Sequence, residues 1–351
     1  MTWDLALILS VDGLANGAIY LLAGLGLVLI FSVTRVVFVP FGDIAAFAAL
    51  SLASLEAGQQ PPTVAMVALL AVLATLAECV RAYRRDERHR LPRIVLVWAV
   101  LPLMPCLLAW AIAGQAVPVL LKVVVAVLLV VPLAPLVARL ALQPIADAST
   151  LVLLIVSLAL HFLLSGLGLM FFGPEGFRTA ALVQGHLQLM EGFSVTAQTL
   201  LMIGAAFVFA GLFYLLFEHT GTGKVLRATA VNQVGARLVG IRPARTALMA
   251  YALSSLLAGL IGILIAPVNT MYYDSGFIIG LKAFVAAIIG GLVSFPLTAL
   301  GAFAVGMVES FASFWSGALK DVLVFGLLIP VLLVRSWLTY HSDDDVEEID
   351  Q

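Results

Sequence analysis

Long runs of apolar residues fill most of this chain. Eleven segments are apolar enough to be candidate membrane spans, at 5–33, 39–57, 62–80, 94–113, 118–138, 151–172, 198–217, 246–267, 276–293, 296–315 and 321–337. About 20 apolar residues cross a bilayer, and the backbone groups of a segment in lipid must find hydrogen bonds within that segment. The runs therefore predict an all-α, polytopic bundle of transmembrane helices with about eleven spans, within a range of eight to eleven.

Two of these segments, 39–57 and 276–293, are short, and we expect them to be re-entrant or broken. The composition agrees with a membrane protein, since 63% of the residues are apolar and 11% are charged, against about 45–50% and about 25% in soluble domains. The net charge of −2 offers no basic excess for binding nucleic acid. The two cysteines, Cys79 and Cys106, lie in apolar runs without metal-ligand spacing, so we expect no cofactor and no metal.

The distribution of basic residues predicts how the bundle is oriented. With the N-terminus outside and the C-terminus in the cytoplasm, 14 of the 18 Lys and Arg residues fall in cytoplasmic loops, six of them in 81–93 and five in 218–247. This asymmetry follows the positive-inside rule. We therefore predict a multi-pass membrane protein with an acidic, disordered cytoplasmic tail at 341–351.

The chain lacks the motif that binds the phosphates of ATP. Its Gly223-Lys224 pair is followed by Val225, where a phosphate-binding loop needs Ser or Thr to hold Mg²⁺. No nucleophile elbow and no zinc-protease motif is present either. We expect that the protein is not an enzyme, which leaves a transporter component or a structural membrane subunit.

The loop 218–247 predicts a short amphipathic helix between two spans. Thr222 can cap its start, Gly240 can end it in a left-handed turn, and Pro243 follows. Such a helix can rest on lipid headgroups, connect two spans, or dock into a groove of a soluble partner. Composition does not decide among these three roles.

The same loop resembles one in a known family. Its residues Thr220, Gly223, Lys224, Arg227 and Ala228, then Ala236, Gly240 and Ile241, are similar to the loop of permeases in the branched-chain amino acid class of ABC importers. Further similarity lies in 281–294, in Gly301, Gly306, Glu309 and Ser310, in 321–335, in Asn16-Gly17, in 20–27 and in Gly42-Asp43. The resemblance covers about 1–57 and 122–337, while Phe38-Val39-Pro40-Phe41 departs from the family pattern.

This resemblance implies a function, a set of partners and a location in a bacterial cytoplasmic (inner) membrane. The helix at about 224–241 would be the coupling helix that contacts a partner ATPase, through Gly223, Lys224, Arg227, Ala228, Ala236, Arg237, Gly240 and Ile241. The chain would form half of a path for branched-chain or related small amino acids, amides or aromatic acids. Its partners would be a second, homologous permease chain, two ABC ATPase subunits that hydrolyse ATP, and a periplasmic or extracellular substrate-binding protein.

The resemblance also implies how the chain is organised. Residues 1–340 would form the transmembrane permease domain. Within it, 58–117 reads as an inserted two-helix hairpin around the arginine-rich loop 81–93. Ala23-Gly24-Leu25 precedes Gly42 by about the same number of residues as Ala258-Gly259-Leu260 precedes Gly276. This internal similarity is compatible with an inverted repeat.

Polar residues inside the spans are candidates for the transport path, since ionisable groups are costly in hydrocarbon. They are Asp12, Asn16, Asp43, Lys282 and Glu309. Each has a structural alternative. Asp12 and Asn16 share a helix face with glycines that can pack helices, Asp43 can favour a helix N-terminus, and Lys282 can snorkel to the outer surface.

A different class of protein would use some of the same residues. A proton-coupled secondary transporter could employ Asp12, Asp43, His161 or Glu309 as its titrating groups, and it would need no ATPase. The loop 218–247 argues against this alternative, because a secondary transporter does not require a docking helix. A lone buried histidine such as His161 is also more commonly structural.

Overall fold

Helices account for most of the protein. The computed structural model describes residues 3–190, 193–334 and 336. The helices are α1 (Trp3–Thr34), α2 (Phe41–Glu56), α3 (Thr63–Arg84), α4 (Leu91–Val95), α5 (Leu101–Ile112), α6 (Val119–Val130), α7 (Leu133–Val137), α8 (Thr150–Phe172), α9 (Ala197–His219), α10 (Gly221–Val231), α11 (Gln233–Leu238), α12 (Pro243–Ile265), α13 (Ser275–Ile289), α14 (Phe295–Trp315) and α15 (Lys320–Gly326). Strands β1 (His186–Met190) and β2 (Phe193–Thr196) form an antiparallel hairpin. The predicted all-α, polytopic class is confirmed.

In the described part of the chain, eight helices are long and apolar enough to cross a membrane. Two of the eight are built from shorter pieces. The π-helical turn Leu96–Val100 joins α4 to α5, whereas a turn at 131–132 separates α6 from α7 and a second π-helical turn, Ala138–Leu142, follows α7. The predicted segments 39–57 and 276–293 form α2 and α13, of 16 and 15 residues. The segment 321–337 is interrupted at Leu327, after which helical backbone resumes over 328–334. The count of eleven spans and the orientation remain predictions, and the acidic tail 341–351 lies outside the described residues.

The two short helices begin against one another. A Cβ added to Gly42 would lie 1.9 Å from the carbonyl oxygen of Gly276, and one added to Gly276 would lie 2.1 Å from that of Gly42. At about 1.5 Å of rise per residue, α2 and α13 are about 24 and 22 Å long, shorter than a hydrocarbon core of about 30 Å. Both helices therefore start inside the molecule, at a backbone contact that only glycine permits.

Helix α1 lies at the centre of the core and packs along α14. Gly13 contacts Met307, Gly17 contacts Phe303, and Gly24 lies against Thr298. The residue numbers rise along α1 as they fall along α14, so the two helices are antiparallel. The glycines next to Asp12 and Asn16 therefore do serve helix packing, as one of the two alternatives predicts.

The contacts of the helices repeat in a way that fits the suggested inverted repeat. The packed pair α1–α14 corresponds to the packed pair α12–α6. In the same way, the pair α1–α13 corresponds to the pair α12–α2. The C-terminal end of α1 meets α11, where Gln233 Nε2 donates to the Val33 carbonyl over 2.8 Å. Because α11 leads directly into α12, α1 ends where α12 begins. Opposite chain directions with matching contacts are typical of inverted-topology repeats.

The hairpin at 58–117 leaves the bundle and returns to it at one place. Gly58 and Gly114 both have positive φ angles, +72° and +78°, and a Cβ on Gly58 would lie 3.9 Å from the Gly114 Cα atom. The hairpin is tied to the bundle by a two-pronged ion pair, in which Arg139 donates to both oxygens of Glu78 over 2.9 and 2.6 Å. The insertion itself stays a prediction.

Candidate functional site: a charged cavity and a coupling loop

A buried cluster of charged side chains joins four helices. The Lys282 Nζ atom on α13 lies 2.5 Å from Glu309 Oε1 on α14 and 2.8 Å from Asp321 Oδ1 on α15. The Tyr20 hydroxyl on α1 donates to Glu309 Oε2 over 2.5 Å. Burying a charge is tolerated when it is paired and hydrogen-bonded, which explains how these ionic groups persist inside the bundle.

The structure corrects one alternative for Lys282. Its side chain does not snorkel to the outer surface, because only 4% of the residue is exposed. Sequence reasoning weighed Lys282 and Glu309 separately and missed that they meet. No local signal links them, since they are 27 residues apart on different helices.

The cluster forms one wall of a cavity of about 500 Å³. Four of the five predicted path residues line it: Asp12, Asn16, Lys282 and Glu309. The shared face of Asp12 and Asn16 therefore points into a cavity, in addition to packing through the neighbouring glycines. Further polar residues of the lining that were not singled out are Tyr20, Asn269, Thr270, Ser275, Ser313 and Lys320. The cavity thus presents groups of both charges and several hydroxyl and amide groups.

The fifth path candidate, Asp43, does not line this cavity. It lies in the first turn of α2, fully buried, and its carboxylate oxygens are 2.8 and 3.0 Å from His161 Nδ1 on α8. The His161 ring stacks on Phe277 of α13 with 4.3 Å between ring centroids. Asp43 and Phe277 are the residues that follow the contacting pair Gly42 and Gly276. The predicted position of Asp43 at a helix N-terminus holds, and its partner His161 was not predicted.

The loop 218–247 contains two short helices rather than one. The single helix predicted at about 224–241 is wrong, because Asn232 interrupts it and its Oδ1 atom caps α11 by accepting from Gly235 N over 2.9 Å. The start is also earlier than predicted. Thr220, not Thr222, caps α10 by accepting from Gly223 N over 3.1 Å. Asparagine and threonine are both favoured caps, so several positions in this loop compete to start a helix.

The end of the loop agrees with the prediction. Gly240 has a φ angle of +85°, and Ile241 N donates to the Ala236 carbonyl over 3.0 Å while Gly240 N donates to that of Arg237 over 3.1 Å. This is the hydrogen-bond pattern of a Schellman motif. Pro243 then begins α12 at a position where its missing N–H is tolerated.

The predicted coupling residues have different surroundings. Lys224, Ala228, Arg237 and Gly240 are exposed and Ile241 is half-buried, while Arg227 pairs with Glu218 over 2.6 Å. Gly223 and Ala236 are buried, so they hold the helices in place rather than present a surface. A Cβ on Gly223 would lie 2.3 Å from the Leu216 carbonyl oxygen, which shows how closely α10 approaches α9.

An exposed apolar surface on the loop escaped the sequence analysis. Its members are aliphatic residues of α10, α11 and the turn that follows: Val231, Val234, Leu238 and Val239. Val231 and Leu238 are each 84% exposed. We call these four residues the valine–leucine strip. Spacings of three and four in the sequence predict an apolar face of Val225, Leu226, Thr229, Leu238 and Ile241. Of these, Leu238 belongs to the strip, while Leu226 and Thr229 pack inward.

Comparison with known proteins identifies the family. The model of the family described as "branched-chain amino acid transport system / permease component" matches residues 9–332. The chain belongs to this family. The resemblance drawn from the loop 218–247 is confirmed.

Individual relatives carry the same description. The branched-chain amino acid permease LivH of Escherichia coli (strain K12) and BraD of Pseudomonas aeruginosa are each 29% identical over 206 residues. A probable LivH of Methanocaldococcus jannaschii is 30% identical over 127 residues, which are 36% of this chain and 40% of that protein. The first two alignments cover 56% of this chain and 66% of the relative, just under two thirds. No solved structure matches this chain.

The family and the eight long apolar helices together establish a multi-pass membrane permease. The predicted location in a bacterial inner membrane is confirmed with it.

Proposed function

We propose that this permease component forms half of the path of an ATP-driven importer and is coupled to partner ATPase subunits through α10 and α11. The observation that carries the proposal is the valine–leucine strip. Exposed apolar patches usually mark sites where another molecule binds, and a short helix with such a face commonly docks into a groove of its partner. ATP hydrolysis takes place in those partner subunits, as the absent phosphate-binding motif in this chain requires.

The position of the loop suits a mechanical role. Gln233 of α11 is hydrogen-bonded to Val33 at the end of α1, and Arg35 Nη2 reaches the Ala230 carbonyl over 3.4 Å. Helix α1 also carries Asp12 and Tyr20, which line the charged cavity. A displacement of α10 and α11 by an ATPase is therefore passed to the cavity by one continuous helix, and packed helices of this kind shift as rigid elements.

The charged cavity is the proposed stretch of the path, and the cargo follows from its chemistry. A volume of about 500 Å³ lies within the range of small-molecule sites. Lys282 and Glu309 are already paired with each other, so Lys320 offers a cation to a carboxylate and Asp12 offers an anion to an ammonium group. A small zwitterionic amino acid complements this arrangement, and the names of the relatives point to branched-chain amino acids, with related small amino acids, amides or aromatic acids as the wider range.

The remaining partners are those that a chain forming half of a transport path needs. We propose a second, homologous permease chain that supplies the other half, two ATPase subunits, and a substrate-binding protein on the outer side. The word "component" in the description of the family supports the existence of such partners.

The test is co-purification with partner subunits in mild detergent. Val234→Asp should abolish recovery of ATPase subunits, because it places a charge in the valine–leucine strip. Val183→Asp is the matched control, since Val183 is also exposed but lies in the loop 173–196, between α8 and α9. ATPase recovery that survives Val234→Asp, or that is lost equally with both variants, would contradict the proposed docking site.

A second candidate function is proton-coupled secondary transport, and the buried Asp43–His161 pair favours it. Uptake into membrane vesicles separates the two functions. ATP-dependent uptake that continues after an uncoupler collapses the proton gradient supports the importer. Uptake that needs the gradient but not ATP, and that Glu309→Gln abolishes, supports the secondary transporter.

A further inference from the structure

A large groove lies between the hairpin and the rest of the bundle. It has a volume of about 1150 Å³. One wall comes from 85–105 of the hairpin, the second from 128–139 of α6, α7 and the turn after them, and the third from the beginning of α12. Apart from its charged rim, the lining is apolar. Leu101 and Met249, from two different walls, are both substantially exposed, so the groove opens toward whatever surrounds the bundle.

Interrupted helices shape this groove. Pro102 and Pro105 line it from α5, and Pro132 and Pro135 line it from the facing wall. The hairpin wall also carries the π-helical turn Leu96–Val100, and Ala138–Leu142 forms another at the end of the facing wall. Prolines and π-helical turns are the usual places where helices kink. The prolines and π-helical turns in the sequences of the two walls therefore account for the space between them.

Arginines from two distant parts of the chain converge at one end of the groove. They are Arg85 and Arg93 of the hairpin loop and Arg242 and Arg245 at the start of α12, and all four are exposed. Among the residues that the structure describes, these four form no salt bridge. Two further arginines on the lining are already paired, Arg90 with Glu87 and Arg139 with Glu78. The rim thus carries four uncompensated positive charges above an apolar floor.

The length of the groove matches one leaflet of a bilayer. Arg242 and Ala252 both line it, and they are about 15 Å apart along α12 at about 1.5 Å per residue. Half of a hydrocarbon core of about 30 Å is the same length. Trp98 lies under the charged rim, with Arg139 over its ring at 5.6 Å, and tryptophan favours the level of the lipid headgroups.

We propose that this groove is a binding site for an anionic glycerophospholipid. The phosphate of the headgroup contacts the four unpaired guanidinium groups, which donate to phosphate in a fork geometry. An acyl chain fills the apolar part between the hairpin and α12. Charge complementarity selects the lipid over a neutral partner, and the predicted orientation places the rim in the cytoplasmic leaflet, where anionic lipids attract basic residues. The site does not depend on which substrate the protein transports.

The experiment is native mass spectrometry of the detergent-purified protein titrated with phosphatidylglycerol or phosphatidylcholine of the same acyl chains. We expect phosphatidylglycerol to bind at least about tenfold more tightly. Arg93→Gln with Arg245→Gln, one substitution on each wall, should weaken phosphatidylglycerol binding about thirtyfold, since each basic residue near an anionic surface contributes about a fivefold step. Arg84→Gln with Arg88→Gln removes the same charge from the same loop outside the groove, and it should weaken binding by no more than about threefold.

Four outcomes would overturn the proposal. Equal affinity for the two lipids would remove the role of charge, and equal effects of the two double variants would reduce the groove to general surface attraction. If glycerol 3-phosphate displaced the lipid at equal concentration, the site would bind the anionic headgroup alone, and the apolar groove would contribute nothing to binding. Deletion of 341–351 tests the acidic tail as a rival occupant, because a large gain in lipid binding on deletion would assign the rim to the tail, and unchanged binding supports the lipid.

Discussion

At the scale of single residues, the contact between Gly42 and Gly276 decides where two helices begin. Each backbone occupies the space that a side chain on the other would need. The buried pair Asp43–His161 and the ring of Phe277 lie directly beside this contact. A substitution here therefore affects the packing of α2, α8 and α13 together.

We predict that Gly42→Ala lowers the free energy of unfolding by about 3 kcal/mol, because no flexible side chain can move out of the way. Thermal unfolding of the detergent-purified protein, followed by size-exclusion chromatography, measures this. Gly204→Ala in α9 is the control, since a Cβ there meets nothing within 4 Å, and it should leave stability unchanged or slightly raised. Similar melting temperatures for the two variants would show that the glycine contact does not limit packing.

The charged cluster gives a second prediction at this scale. Lys282→Met leaves Glu309 buried without its cation and should cost about 3 kcal/mol. Adding Glu309→Gln removes the unpaired charge, so the double variant should be more stable than Lys282→Met alone. A double-mutant cycle of unfolding temperatures checks this, and additive effects would mean that the two side chains are not coupled.

At the scale of elements, the coupling loop shows how local signals compete. Gly240 ends α11 as its neighbours predict, because a left-handed residue and two hydrogen bonds suffice. The break at Asn232 was missed, since an asparagine can sit within a helix or cap the next one. Here Asn232 caps the next helix, α11, and the residue after it, Gln233, contacts the end of α1.

We predict that Gly240→Ala loosens the end of α11 by about 1 kcal/mol, because alanine is strained at positive φ. Gly240→Asn should have a smaller effect, since asparagine tolerates the left-handed conformation better. Hydrogen exchange of the amides in 233–241 measures the difference. Faster exchange in the alanine variant than in the asparagine variant is expected, and equal rates would argue against the Schellman motif as the stabilising feature.

At the scale of the whole molecule, the predicted insertion 58–117 meets the rest of the bundle at one place. The core pairs α1 with α14 and α12 with α6, and the hairpin joins it at Gly58 and Gly114. The Glu78–Arg139 ion pair then holds the hairpin against the second wall of the groove.

Because the ends of the hairpin meet, we predict that a chain lacking 59–113 and carrying Arg139→Gln still folds, with a monodisperse elution profile in detergent. The same deletion with Arg139 retained should be less stable, since the arginine loses its carboxylate partner. The shortened chain should also lose selective binding of phosphatidylglycerol. Aggregation of both deletion variants would show that the hairpin is an integral part of the core.

The sequence by itself determined the class of the protein, the approximate spans and the end of the coupling loop. These features depend on local interactions, because a backbone in lipid must satisfy its own hydrogen bonds and a helix end is built from adjacent residues. Even the shortness of α2 and α13 was visible as short apolar runs.

Only the tertiary structure decided which polar groups meet. Lys282 finds Glu309 and Asp321, Tyr20 reaches Glu309 across 289 residues, and Asp43 finds His161 across 118. The groove rim likewise joins Arg93 with Arg245. Such pairs depend on how helices pack, and small residues at helix contacts, such as Gly42 and Gly276, set that packing without marking in the sequence which partner they face.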